Sequence, residues 1–166
     1  MRFRPLDLFI AAAILGGLLG IALILKGVPE TEITGAGEAI DGDSVRLTGI
    51  EIRLKGIDAP ELFQKCQRLG QDWPCGQEAR AALRRKLSKG LVTCIGAERD
   101  RYGRLLAVCR MRGADLNAEM VREGLAVAFG GYQAEEKAAR DDNRGLWAGK
   151  FERPGDYRAK HPRQTQ

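Results

Sequence analysis

The sequence predicts a small α+β domain in which five short strands, interrupted by three helices, curl into a mixed barrel. Three observations carry that prediction. Short apolar runs are punctuated by turn residues, helix formers recur at helical spacing in three places, and no strand spacing fits a parallel strand–helix–strand winding. Of the 166 residues, roughly 140 follow an apolar N-terminus, enough for one domain with its own core and hardly for two.

Residues 29–37 read as a linker passing into a first strand near residues 33–40. Asp41-Gly42-Asp43 is a turn, because glycine tolerates positive φ and aspartate binds local amides. A second strand is expected over 45–48. Over 50–57, Ile50, Ile52 and Leu54 alternate with Glu51, Arg53 and Lys55, the period of a half-buried strand. Pro60 stops it, since proline removes a ladder donor. A cysteine-flanked loop is expected over 62–76. A helix is then expected over 77–89, where Ala79, Ala82, Leu83 and Leu87 share a face and Gly90 ends the run. Two apolar strands are expected over 91–97 and 105–111, joined by a polar turn. Helices over 114–123, with Asp115 as N-cap, and 134–143 complete the order. The expected organisation is an N-terminal anchor (1–28), a linker (29–37), the domain (38–149) and a polar, basic tail (150–166).

Leu8 to Leu25 forms 18 residues without a charge, preceded by Arg2 and Arg4 and closed by Lys26. As a helix it would reach about 27 Å, close to the hydrocarbon thickness of a bilayer. It exceeds the usual apolar stretch of a cleavable signal peptide, and no small-x-small site follows Leu25. An uncleaved transmembrane helix is therefore expected, with cleavage and secretion as the alternative. The positive-inside rule puts the domain on the extracytoplasmic side, periplasmic or extracellular. Cys66, Cys75, Cys94 and Cys109 all lie in that part. Four thiols allow three pairings. Cys66–Cys75 with Cys94–Cys109 closes the shortest loops and is preferred, the second pair stapling two strands. Zinc is the competing reading, without a C-x-x-C knuckle or a nearby histidine to support it. Disulfides in an oxidising compartment are expected.

Composition excludes several chemistries. The single histidine, His161, stands five residues from the C-terminus, so histidine-built zinc sites, Ser-His-Asp triads and histidine-base nucleases would have to recruit it from a polar tail. Lys and Arg number 27 against 22 Asp and Glu, a formal +5, too mild by itself to prove a polyanion partner. The basic residues of the first helix and of the tail read as solvated faces.

Chemistry concentrates around the third strand. If the second and third strands pair through Thr48-Gly49, Asp43 and Asp58 meet at one rim, with Glu61 close by. Adjacent carboxylates repel unless a cation lies between them, so they are candidates for a hard ion such as Ca²⁺. The plainer reading is two turn residues satisfying backbone amides. An EF-hand does not fit, because Val45 stands at the third ligand position. Arg53 lies on the polar face of the third strand, and Arg104 opens the fifth within Asp100-Arg101-Tyr102-Gly103-Arg104. Guanidiniums converging on a carboxylate-bound cation suit phosphoryl transfer, with Glu61 positioning or deprotonating water.

With DGDS at 41–44, IRLKGIDAPE at 52–61, DRYGR at 100–104, LNAEMVREGLA at 116–126 and GLW at 145–147, the chain resembles the staphylococcal nuclease (thermonuclease) family. The resemblance implies a five-stranded OB-fold barrel with three helices. It implies Ca²⁺ held by Asp43, Asp58 and the backbone carbonyl of Ala59, and Glu61 as general base or water-orienting group. Arg53 and Arg104 would bind the scissile phosphate, Arg101 and Tyr102 the neighbouring phosphate or nucleotide, and Tyr132 would form a wall of the nucleotide pocket. Residue 59 is alanine where the best-known member has threonine, a change that a carbonyl ligand survives. The cysteines and the membrane segment are absent from that member. The implied activity is cleavage of P–O5′ bonds in DNA and RNA with little sequence preference, since metal and guanidiniums read the backbone. No obligate protein partner is inferred, and a monomer is expected. A reading from another class is a catalytically silent OB module that binds single-stranded nucleic acid or an acidic partner. The complete set Asp43, Arg53, Asp58, Glu61 and Arg104 favours the enzyme.

Overall fold

The computed structural model describes residues 13–17 and 29–162. Its elements are β1 (Thr31–Gly35), β2 (Gly37–Ala39), β3 (Ser44–Leu47), β4 (Ile50–Leu54), β5 (Ile57–Asp58), β6 (Cys66–Arg68), β7 (Gln71–Trp73), α1 (Cys75–Leu87), β8 (Val92–Arg99) and β9 (Leu105–Met111). There follow β10 (Ala114–Asp115), α2 (Leu116–Arg122), β11 (Val127–Ala128), α3 (Gln133–Asp141), a 3₁₀ turn (Gly145–Ala148), β12 (Gly149–Lys150) and α4 (Pro154–Lys160).

The main sheet runs β1-β8-β9-β4-β3-β2. Its pairs are antiparallel except β4 with β9, where Ile52 stands beside Leu105 in parallel register. β1 and β2 occupy opposite ends of this path, yet only Ala36 separates them in the chain. A residue spans at most about 3.6 Å, so the sheet must curl until its two edges approach each other. A curled sheet with helices against it is the mixed α+β architecture expected, and it is consistent with an OB-fold. The first strand breaks at Ala36 because its halves pair with different partners, β8 and β3. Residues 31–35 are thus part of the sheet, although their composition suggests a linker.

Alternation fills the interior. Val45 and Leu47 of β3, Ile52 and Leu54 of β4, and Leu105, Ala107 and Cys109 of β9 all turn inward. Ala79, Leu83 and Leu87 of α1 and Leu116, Met120 and Val121 of α2 cover them. Cys94 and Cys109 face each other across β8 and β9 and form a disulfide inside this core. Cys66 and Cys75 form the other, tying β6 to the start of α1. Both preferred pairings are therefore present, and no cysteine is free.

Two further segments differ from the sequence expectation. The cysteine-flanked loop contains the hairpin β6–β7, turned at Leu69 and Gly70, both with positive φ, the backbone of a two-residue hairpin turn. The polar tail contains α4, opened by Pro154 at its first turn, where a missing N–H is no loss. The expected membrane segment lies outside the described residues except for a helical stretch over 13–17. Among the described residues, no helix is long and apolar enough to cross a membrane.

Asn117 locks α2 to the parallel strand pair. It is fully buried; its Oδ1 accepts from the Cys109 amide at 3.1 Å, and its Nδ2 donates to the carbonyls of Lys55 (2.9 Å) and Ala107 (3.1 Å). Asn117→Ala leaves these backbone groups unpaired in the interior, and should reduce stability by about 2–4 kcal/mol in urea unfolding. A loss within error of zero would mean that water or another side chain takes its place.

Candidate active site

The rim of the curled sheet is built by the β3–β4 hairpin. Its turn is Thr48-Gly49, both at positive φ, which sets Ser44 opposite Arg53. The turn before β3 is closed by the Asp41 carboxylate, whose Oδ1 accepts from the Asp43 amide at 2.9 Å. Gly42 is needed there because a Cβ would lie 2.7 Å from the Cβ atoms of both Ala59 and Ala79. The sequence expectation that Asp43 and Asp58 meet is fulfilled, with Arg53 joining them. Arg53 Nη1 donates to Asp43 Oδ1 at 3.0 Å, and Nη2 donates to Asp58 Oδ1 at 2.7 Å. Both carboxylates are 3 % exposed. The second oxygen of Asp43 accepts from the Ala59 amide at 2.8 Å, and Ser44 Oγ donates to its first at 3.2 Å.

Burial pushes the Asp43 carboxyl up to about 7; the neighbouring Asp41 adds to the rise, while Arg53 and the Ala59 amide oppose it. Desolvation favours the neutral form of a carboxyl, and only partnering holds the charged one.

Glu61 follows the Asp58-Ala59-Pro60 bend and is positioned by a residue that sequence reading missed. Gln64, fully buried, accepts from the Glu61 amide through Oε1 at 3.1 Å. Its own amide donates to the Glu61 carbonyl at 2.8 Å, and Nε2 reaches the Glu152 carbonyl at 2.8 Å. Gly76 lets α1 approach this loop: a Cβ on it would sit 1.7 Å from the Glu61 carbonyl oxygen. The Cys66–Cys75 bond fixes the same junction.

A second residue missed from sequence is Arg158 of α4. Its Nη1 lies 2.9 Å from both Asp58 Oδ1 and Glu61 Oε1, and its Nη2 lies 2.9 Å from Asp58 Oδ2. Nothing in the local sequence distinguishes it from the other basic residues of the tail.

On the other side, Arg104 grips Asp100 through Nε (2.8 Å) and Nη2 (2.7 Å), and its Nη1 donates to Ser44 Oγ at 3.3 Å. Although desolvation works against it, Arg104 and the amides of Arg104 and Tyr102 hold the Asp100 carboxyl below the usual carboxylate range. Arg101 and Arg104 lie 4.9 and 5.5 Å from the centroid of the Tyr102 ring, which is exposed. A polar chain thus runs along the rim through Arg104, Ser44, Asp43, Arg53, Asp58, Arg158 and Glu61.

These residues, apart from the buried Ser44 and Asp58, line one open cleft of ≈ 1270 Å³, together with Asp41, Arg101, Tyr102 and Phe129. That volume exceeds an ordinary small-molecule pocket. Tyr132 is not among the lining residues. Its hydroxyl donates to Asp115 Oδ2 at 3.2 Å, and its ring packs on the core. The exposed aromatic on that side of the cleft is Phe129. Its isolation among glycines and small residues gave no pattern to read.

The rim carboxylates offer oxygen donors only, as a hard cation prefers. Among the described residues no group of three or more His, Cys, Asp or Glu side chains could hold a metal ion. A cation here would therefore rest on Asp43 and Asp58 plus carbonyl or non-protein oxygens.

A curled sheet carrying carboxylates and guanidiniums along an open cleft defines a nuclease-like class of domain. The family model described as Staphylococcal nuclease homologue matches residues 51–149, and the chain belongs to that family. It is 34 % identical over 142 residues to the succinoglycan biosynthesis protein ExoI of Rhizobium meliloti (strain 1021), covering 80 % of this chain and 74 % of that protein. It is 32 % identical over 136 residues to the probable endonuclease LCL3 of Schizophyllum commune, covering 68 % and 46 %. It is also 32 % identical over 123 residues to the probable staphylococcal-like nuclease CAN2 of Oryza sativa subsp. japonica, covering 70 % and 31 %. The chain thus spans three quarters of the first protein and half or less of the other two.

The Asp43 carboxyl gives a pH signature. Its folded pKa, about 7, lies above the ordinary value of about 3.9. The fold therefore holds a proton that the unfolded chain releases between those values. The associated stability is complete below about pH 4 and is lost as pH rises through about 7. In chelator, the melting temperature of the wild type should fall more from pH 5 to pH 8 than that of Asp43→Asn. Parallel profiles would contradict the assignment.

Proposed function

We propose that this chain is a Ca²⁺-dependent endonuclease that hydrolyses phosphodiester bonds of DNA and RNA with little sequence preference. The single observation that carries this reading is the hydrogen-bonded run of carboxylates and guanidiniums from Glu61 to Arg104, relayed by Ser44, along an open cleft. Relatives named probable endonucleases and membership of the family support it. The two disulfides support an exported domain, and the uncharged stretch Leu8–Leu25 supports a membrane tether.

Asp43, Asp58 and the carbonyl of Ala59 would hold the cation, which when bound supplies Lewis-acid polarisation of a phosphoryl oxygen. The chain's own residues do the rest. Arg53 and Arg104 present N–H donors to the phosphate oxygens, where charge accumulates as the attacking oxygen adds. Arg104 reaches the cleft with its guanidinium already oriented by Asp100. Glu61, held by Gln64, orients a water and takes its proton. Tyr102 and Phe129 offer exposed ring faces on which bases stack irrespective of identity. Contacts of this kind read the backbone and carry little sequence information.

Incubating the full-length chain with single-stranded DNA and with RNA, in Ca²⁺ or in chelator, tests the proposal. Cleavage should require Ca²⁺, and Glu61→Gln should lower turnover by about a hundredfold or more while binding changes little. Binding without cleavage under any divalent metal would overturn it in favour of the silent OB module.

A further inference from the structure

We propose that α4 is a regulatory strap, in which Arg158 occupies the carboxylates needed by the cation and must leave before the cation can bind. This rests on the reading of Asp43 and Asp58 as the cation site. Every oxygen of Asp58 is taken: Oδ1 accepts from Arg53 and Arg158, and Oδ2 accepts from Arg158. The same guanidinium also takes Oε1 of Glu61, one oxygen of the carboxylate that would receive a proton from water. With Arg158 in place, both oxygens of Asp58 already serve a guanidinium, a positive charge stands where a cation would sit, and Glu61 is engaged as a counter-ion. One helix end thereby suppresses cation binding and the base together.

The attachment of α4 suits release. The helix has seven residues, of which only Pro154 is buried. The contacts anchoring its approach lie just upstream: Gln64 Nε2 donates to the Glu152 carbonyl, and Arg153 pairs with Glu136. Beyond Pro154, Arg158 is the residue that pairs with the rim carboxylates, and its side chain keeps 34 % of its exposure. Residues 152–154 therefore form a fixed base, and Lys160, the last residue of α4, is tied back to it through Glu152, so α4 can move from the rim as one unit. Arg53, by contrast, is 19 % exposed and held on a central strand between two nearly buried carboxylates. The two guanidiniums differ in role: Arg53 is built in, and Arg158 is exchangeable. A guanidinium supplies one charge where a divalent cation supplies two, so rising cation concentration shifts the balance toward release.

Calorimetric titration of Ca²⁺ into the full-length chain, beside Arg158→Gln and Lys160→Gln, tests the strap. Arg158→Gln should bind Ca²⁺ about fivefold more tightly, the upper scale of one partly exposed ion pair. Lys160→Gln removes the same charge from the same helix, at a residue paired with Glu152 and not with Asp58 or Glu61, and should match the wild type. Hydrogen exchange of residues 154–160 in the wild type should accelerate on adding Ca²⁺. Equal or weaker affinity in Arg158→Gln, an equal gain in Lys160→Gln, or slower exchange with Ca²⁺ would each overturn the strap while leaving the cation site standing. No binding in any variant would overturn the cation site and the strap with it.

Discussion

The structure depends on one interaction: the fork of Arg53 between Asp43 and Asp58. Two carboxylates with 3 % exposure could not both remain ionised side by side without a compensating charge. The desolvation of each is large and their mutual repulsion adds to it. Arg53 supplies that charge from β4, the strand lying between the β3 hairpin partner and the parallel neighbour β9. The hairpin register, the Asp41-Gly42-Asp43 turn and the bend after Ile57 all converge on placing three side chains within hydrogen-bond reach.

The compensation is incomplete, and that incompleteness makes the rim chemically useful. Asp43 remains pushed up to about 7, so the network still favours additional positive charge. Arg158 provides some of it at Asp58, and Ser44 relays Asp43 to Arg104. Around this polar seam the rigid parts are apolar and covalent: the Cys94–Cys109 bond inside the sheet, and the Cys66–Cys75 bond beside the loop that carries Glu61. Buried polar networks specify geometry only when every member has a partner. Gln64 and Asn117 are both fully buried, and their side chains make two and three hydrogen bonds to backbone groups.

Much of this was legible in the sequence. The alternation of Ile50, Ile52 and Leu54 with Glu51, Arg53 and Lys55 put Arg53 on the polar face, and the Thr48-Gly49 turn then fixed which residues meet at the rim. The cysteine pairs are the preferred ones, those closing the shortest loops, among three that the sequence left open. Other features were written in contacts that linear pattern does not carry. β1 was hidden because a polar edge strand looks like a linker until its partner β8 is known. Arg158 lies 97 residues from Glu61, in a tail of several basic residues, and only the packing of α4 singles it out. Gln64 is a buried polar side chain in an irregular loop, where no periodicity marks the interior. Tyr132, expected as a wall of the nucleotide pocket, does not line the cleft; it stands at positive φ, 63°, ahead of α3. Its hydroxyl turns to Asp115, leaving the cleft to Phe129.

The most direct test is a crystal structure of the chain grown with Ca²⁺ and a nucleoside bisphosphate. The expected result is one cation on oxygens of Asp43, Asp58 and the Ala59 carbonyl, with Arg53 still joining the two carboxylates and a phosphate between Arg53 and Arg104. A cation bound away from Asp43 and Asp58, or an Arg53 that abandons them when the site fills, would contradict it.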